Sequence, residues 1–314
     1  MFDGTRRVRT EKAGTGPRVR HRVLALCSSL GVLGSMIAFG AVGTAGVAAG
    51  AAAPTITNYP RVGVPWHGQY NTWSASNWSG YAETGTYTGV SGSWTVPAVS
   101  ATSSSTYSSA WIGVDGFNDN NLIQTGTEED FYNGAAHYDA WWEILPAAET
   151  EISPSAYRIT PGDRMSASIY ETSQTTGGGG GFFHRQSQVE HVWDIRIADT
   201  TKGWSFSTSQ GYNGAGSSAE WVLEAPEVGG RIATLAHYTI APPAGLGDFD
   251  NAGILTGTVS SGTPTYTPAG LNYQNDSGTM VQNGAQVSTP GDPDTALTAF
   301  DAGYGSAVPP TPAG

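Results

Sequence analysis

The stretch Tyr138-Asp139-Ala140-Trp141-Trp142-Glu143-Ile144 reads as a strand with two unlike faces. In an extended chain successive side chains point to opposite sides, so Asp139, Trp141 and Glu143 share one face and Tyr138, Ala140, Trp142 and Ile144 the other. The second set is a core face; two carboxylates around a tryptophan need another explanation. Ala110-Trp111-Ile112-Gly113-Val114-Asp115-Gly116 splits in the same way, with Ala110, Ile112 and Val114 inward and Trp111, Gly113 and Asp115 opposite. Ala219-Glu220-Trp221-Val222-Leu223-Glu224 repeats the pattern. Segments of this kind fit a sheet with one buried face, and the three are expected to bring their carboxylates to one surface, a tryptophan-floored acidic cleft.

The rest of the chain agrees with a sheet protein. Low charge, 43 Gly, 10 Trp, 14 Tyr and many Ser and Thr residues indicate an all-β fold, because aromatic and β-branched side chains suit a pleated surface and Gly marks turns. No segment has helical periodicity. Strands are expected at Gly85 to Thr88, Gly92 to Pro97, Ser109 to Asp115, Leu122 to Thr125, His137 to Ile144, Tyr157 to Ile159, Arg164 to Glu171, Glu190 to Ile197, Ala219 to Glu224 and Ile232 to Ile240. Ile254 to Val259 and Thr279 to Val287 are candidate closing strands. So many short strands predict a sandwich or barrel. The five glycines Gly177 to Gly181 read as a hairpin tip or surface loop.

Residues 1–53 read as a signal peptide: seven basic residues from Arg6 to Arg22, an apolar run from Val23 to about Val47, then small residues. The run is long enough for an uncleaved membrane anchor, which is the alternative. Residues 54–76 follow as a short lead-in or propeptide, 77–304 as the folded domain and 305–314 as a loose tail. The whole chain has 14 basic and 26 acidic residues; seven basic and two acidic ones precede Val23, leaving 7 against 24, a net charge of −17. That balance argues against nucleic acid or an anionic membrane as a partner. Cys27, the only cysteine, lies in the leader, so the mature chain has no disulfide, thiolate metal site or cysteine nucleophile.

Several catalytic schemes lack their parts. There is no G-x-S-x-G elbow and no H-E-x-x-H helix. His184 and His191 match no standard ligand spacing, and no metal or cofactor is expected. Asp276-Ser277-Gly278-Thr279 contains a D-S-G that occurs once and without hydrophobic residues before it; a turn is expected there, and also at Asp248-Phe249-Asp250. What remains is carboxylate chemistry, in which one carboxylate acts as general base on water while another group stabilises the oxyanion.

At this point the residues resemble a known family, the glutamic peptidases or eqolisins. The resemblance runs from Asn77 to Ile240 and rests on six motifs in order: Asn77-Trp78-Ser79-Gly80-Tyr81, Trp94-Thr95-Val96-Pro97, Ala110 to Gly116, Leu122-Ile123-Gln124-Thr125-Gly126, Tyr138 to Glu143 and Ala219 to Glu224. It implies an antiparallel β-sandwich of two bent sheets, concanavalin A-like, with a cleft on the concave face. It also implies a secreted acid endopeptidase acting on polypeptides through a Glu and Gln dyad. Motif matching gives Gln124 as the glutamine and favours Glu220 as the glutamate, with Glu224 on the same strand face as the alternative. Asp115, Asp139 and Glu143 would be supporting groups, and Trp111 and Trp141 walls of the cleft. The short stretch between leader and Asn77 puts activation by removal of a prosegment in doubt, or makes that prosegment very short.

Two rivals use the same residues. A glycoside hydrolase could pair Glu220 with Glu224, or Asp139 with Glu143. A lectin-like binding module could stack sugars on Trp111 and Trp141. Neither carboxylate pair falls in a glycosidase motif, and the hydrolase gives Gln124 no role; in the lectin-like module the acids would be hydrogen-bond acceptors. The expected molecule is a monomer, pepstatin-insensitive because paired D-T-G or D-S-G motifs are missing, and most active and stable in acid.

Overall fold

The computed structural model describes residues 52–65, 73–176, 189–238, 248–257, 259 and 262–313. Leader residues 1–51, the pentaglycine and His184 lie outside them. The strands in chain order are β1 (Ile56–Thr57), β2 (Trp73–Ala75), β3 (Trp78–Thr84), β4 (Gly89–Thr95), β5 (Ser109–Val114), β6 (Ile123–Tyr132), β7 (Ala135–Ile144), β8 (Thr150–Ile152) and β9 (Arg164–Thr176). There follow β10 (Val189–Asp199), β11 (Trp204–Gly211), β12 (Ser218–Glu224), β13 (Glu227–Val228), β14 (Asp248–Leu255), β15 (Thr267–Pro268), β16 (Ser277–Gln282), β17 (Ala285–Pro290) and β18 (Phe300–Tyr304). The only helix among the described residues is the single turn α1 (Tyr273–Asp276), capped by Asn272, whose side chain accepts from the Gln274 amide.

Two large sheets make up the sandwich, and β1 pairs with β13 in a separate two-stranded sheet. One runs β11-β10-β9-β4-β14-β18 and the other β18-β17-β16-β3-β12-β5-β6-β7-β8. β18 serves both, pairing with β14 through Phe300 and Asp301 and with β17 from Ala302 onward. Neighbours are antiparallel except for β2, which lies parallel to β16. The sheets pack as a sandwich. Val90, Trp94, Met165, Ile169, Ile195 and Ile197 of the first meet Tyr81, Ala110, Ile112, Val114, Trp221 and Leu223 of the second. Each large apolar side chain buried there contributes about 1.5–3 kcal/mol. The alternation expected of β5, β7 and β12 is therefore found, with the even residues of β5 and β7 and the odd residues of β12 turned to this core.

Several local expectations are corrected. Gly85 to Thr88 is a bend after β3, and Tyr157 to Ile159 lies outside any strand. Of the expected strand Ile232 to Ile240, residues 232–238 are largely irregular, held by isolated bridges such as Tyr107 with Leu235 and Val99 with Tyr238, and residues 239–240 lie outside the described residues. Thr279 to Val287 is a hairpin of two strands, β16 and β17. The D-S-G stretch is the end of α1 and the start of β16. Asp248-Phe249-Asp250 starts β14, because Phe249 is fully buried and Arg164 pairs with both flanking aspartates.

The outer face of the second sheet carries the carboxylates. Register aligns Glu143, Gln124, Gly113 and Glu220 in one row across β7, β6, β5 and β12. The next row on that face is Trp141, Gly126, Trp111 and Val222, and the third is Asp139, Glu128, Ser109 and Glu224.

Candidate functional site

Trp111, Trp141, Trp78, Leu122, Val222 and Ala75 form a second apolar cluster on this outer face. Trp78 and Trp111 meet edge to face, ring centres 4.9 Å apart. Both expected walls, Trp111 and Trp141, are fully buried, so in this arrangement neither offers a ring face to a sugar. They form a dry floor on which polar groups are held at low dielectric.

Gln124 sits above that floor. Its Nε2 donates to Glu143 Oε2 at 2.7 Å and to the main-chain carbonyl of Asn58 at 2.9 Å. Two acceptors use both amide hydrogens and so fix which end of the side chain is nitrogen. Glu143 also accepts from the Asn58 amide at 3.1 Å. Burial pushes the Glu143 carboxyl up to about 8, although those two donors pull it down.

Glu224 lies beside them. Its Oε2 accepts from the Trp111 indole N–H at 2.9 Å, and its Oε1 from the Tyr59 amide at 2.9 Å and Asn77 Nδ2 at 3.2 Å. Burial raises its pKa well above the usual carboxylate range; Tyr59, Asn77 and Trp111 oppose that shift, and nearby Glu143 adds to it. Glu220 is elsewhere on the same face. It is fully buried, neither carboxyl oxygen has a hydrogen-bond partner within ordinary geometry, and the groups that perturb it are Ser218, Asp115 and Asp119. Its pKa too is pushed well up, first by burial.

Asp115 is occupied with shaping a loop. At φ 71° it ends β5 and accepts from the Tyr212 hydroxyl at 2.6 Å, the Ser217 amide at 2.6 Å and the Gly216 amide at 3.0 Å. Asp139 is half-buried at the other end of the face and pushed up to about 7 by burial and by Glu151. The structure thus brings Gln124, Glu143, Glu224, Trp111 and Trp141 together, and sets Glu220 with Asp115 and Asp139 with a separate acidic group. Among the described residues no three His, Cys, Asp or Glu side chains are grouped to hold a metal ion. His191 is paired with Glu171 at 2.6 Å.

What the sequence did not reveal is the segment that lies over the face. Ile56 and Thr57 pair with Val228 and Glu227. Beyond them the main chain is gripped almost continuously: Trp78 Nε1 donates to the Tyr59 carbonyl at 2.8 Å, Asn77 Nδ2 to the Pro60 carbonyl at 3.1 Å, and Val62 N to Asn77 Oδ1 at 2.8 Å. Arg61 N donates to the Gly116 carbonyl, and its guanidinium lies 4.3 Å from the ring centre of Phe117. The Asn58 side chain, fully buried, donates to Glu128 Oε1 at 3.0 Å and Glu149 Oε2 at 3.4 Å. Glu128 was legible in part, since Gln124, Gly126 and Glu128 share a face by period two; it falls beyond the expected end of that strand at Thr125.

Residues 76–242 match the Peptidase A4 family. Aspergillopepsin-2 from Aspergillus niger is 27% identical over 197 residues, which are 55% of this chain and 64% of that protein. Scytalidopepsin B from Scytalidium lignicola is 36% identical over 104 residues, 32% of this chain and 38% of that one. The matches thus span less than two thirds of either curated relative. The crystal structure of scytalido-glutamic peptidase with a transition state analog inhibitor superposes with a TM-score of 0.52 and 22% identity, covering 73% of this chain and 98% of that one. At that identity the likeness speaks for the sandwich fold. Family match, motif order and fold agree, and the chain belongs to the Peptidase A4 family, the eqolisins.

Proposed function

We propose that this protein is a secreted acid endopeptidase of the glutamic type, with Gln124 and Glu224 as its dyad. The observation that supports the choice of residues is a single peptide bond. The Asn58 carbonyl accepts from Gln124 and the Tyr59 nitrogen donates to Glu224, each at 2.9 Å, so the Asn58–Tyr59 linkage spans the two side chains as a bond to be cut would. No comparable contact links Glu220 to Gln124 among the described residues, and Glu220 is left out of the dyad.

In this reading ionised Glu224 takes a proton from a water molecule as its oxygen attacks the scissile carbonyl carbon. The carbonyl oxygen gathers negative charge, and the Gln124 N–H, already aimed at it, holds that charge without needing a proton of its own. Glu224 then passes its proton to the nitrogen, the C–N bond breaks, and an acid and an amine leave. Glu143 orients the Gln124 amide. Trp111, Asn77 and the arriving peptide N–H stabilise the Glu224 carboxylate in a site whose burial opposes ionisation. For a substrate to enter, residues 56–62 must leave the face they cover. Secretion rests on the leader-like residues 1–53.

The test is acid digestion of an unfolded protein by full-length variants. Glu224→Gln and Gln124→Ala should each lower turnover at least about a thousandfold, the order expected for loss of a base or an oxyanion donor. Glu220→Gln should retain most of it. Near-normal turnover in folded Glu224→Gln, or its loss in Glu220→Gln alone, would return the role to Glu220.

A further inference from the structure

The proposed dyad defines a direction along the covering segment: Asn58 lies on the carbonyl side of the spanned bond and Tyr59 on the nitrogen side. The two side chains are treated very differently. Tyr59 is 41% exposed, whereas Asn58 is wholly buried, its carboxamide turned between Glu128 and Glu149. We infer that Glu128 and Glu149 form the subsite for the residue preceding the cleaved bond, and that this subsite selects a carboxamide side chain, asparagine or glutamine. The inference rests on the reading of Gln124 and Glu224 given above.

The chemistry of the subsite is that of two carboxyls sharing one neutral guest. Each can accept from the amide NH2, and both such bonds are present. The Asn58 Oδ1 has no donor among the described residues, and a protonated carboxyl beside it can supply one. Burial holds both acids well above the ordinary carboxylate range; Glu149, Asp130 and Asp139 raise Glu128 further, and Asp139, Glu143 and Asp130 raise Glu149 against the pull of its hydrogen bond to Glu128, so in acid they carry that proton. An apolar guest would leave both bonds to the amide unmade, one of them at the buried Glu128, and a lost polar partner in a buried site discriminates strongly between side chains. An aspartate guest would add a third acid to the group.

The experiment uses the full-length protein in acid and peptides copying Thr57 to Val62 that carry Asn, Gln, Leu or Phe at the second position, with products identified by mass. The Asn peptide should be cleaved at least about tenfold more efficiently than the Leu peptide. In Glu149→Leu, a substitution at a partly exposed site, that ratio should narrow at least about fivefold. A preference for Leu or Phe, or an unchanged ratio in Glu149→Leu, would overturn the subsite. If no peptide is cut at all, the endopeptidase reading fails and the subsite is judged by hydrogen exchange in the full-length chain. Protection of the Asn58 and Tyr59 amides should then fall at least about tenfold in Asn58→Leu relative to wild type; unchanged protection would overturn it.

Discussion

The indole N–H of Trp111 points at Glu224 Oε2, and this one contact joins the apolar floor to the proposed base. Burial of Glu224 disfavours its charge, and a hydrogen bond to a charged group returns about 1.5–3 kcal/mol of that penalty. Trp111→Phe keeps most of the packing and removes the donor. The pKa of Glu224 should rise further, and since the ionised form does the work, the acid limb of the activity profile should move up by roughly one to two pH units. A profile that keeps its acid limb in Trp111→Phe would remove Glu224 from the role. The same residue shows where sequence reading stops. Period two puts Glu220 and Glu224 on one face, and nothing in the strand itself separates them; the difference lies in Trp111, Asn77 and Tyr59, which reach Glu224 from other parts of the chain. Gln124 entered through the family resemblance alone. Asn58 was invisible for the same reason, its partners being 70 and 91 residues away.

At the scale of elements, β6 is the hub of the site: it carries Gln124 and Glu128 between β5 and β7. Between those two residues stands Gly126, flanked by Trp111 and Trp141 in the adjoining strands. A Cβ there would lie 2.5 Å from the Ala110 carbonyl oxygen and 2.5 Å from Trp111 Cβ. One of those is backbone, so the strands must part for it to fit. Gly126→Ala should destabilise the fold by about 1–3 kcal/mol, the usual cost of overpacking, and lower turnover by disturbing Gln124 and Trp111 together. Urea unfolding in acid measures the first effect; wild-type stability with wild-type turnover would mean that the strands are not locked as described. The strands β5, β7 and β12 were legible because each alternates a clean apolar face with an acidic one. β14 was not, since Asp248-Phe249-Asp250 has a turn-like composition and becomes a strand only when Arg164 of β9 covers both aspartates.

For the whole molecule the governing fact is that many carboxyls are buried and few are matched by cations. Burial raises Glu83 to about 7, Asp139 to about 7 and Glu143 to about 8, and carries Glu128, Glu129, Asp130, Glu149, Glu220 and Glu224 upward as well. Asp163 goes the other way: burial would raise it, but Lys202 and Thr160 outweigh that. A group whose pKa is higher folded than unfolded binds its proton more tightly in the native state. Stability is therefore fully present below the ordinary values near 4 to 4.5 and falls as pH rises toward the folded values. A fully buried group such as Glu143 loses about 1.4 kcal/mol for each pH unit in that window. With several such groups acting in the same direction and no cysteine after Cys27 to supply a disulfide, the loss between pH 5 and 8 should exceed what a typical domain has in reserve. Urea midpoints followed from pH 3 to 8 by near-ultraviolet circular dichroism should be highest at the acid end and collapse near neutrality. A midpoint that is flat or rises over that range would mean the buried acids are relieved in solution by something other than their protons.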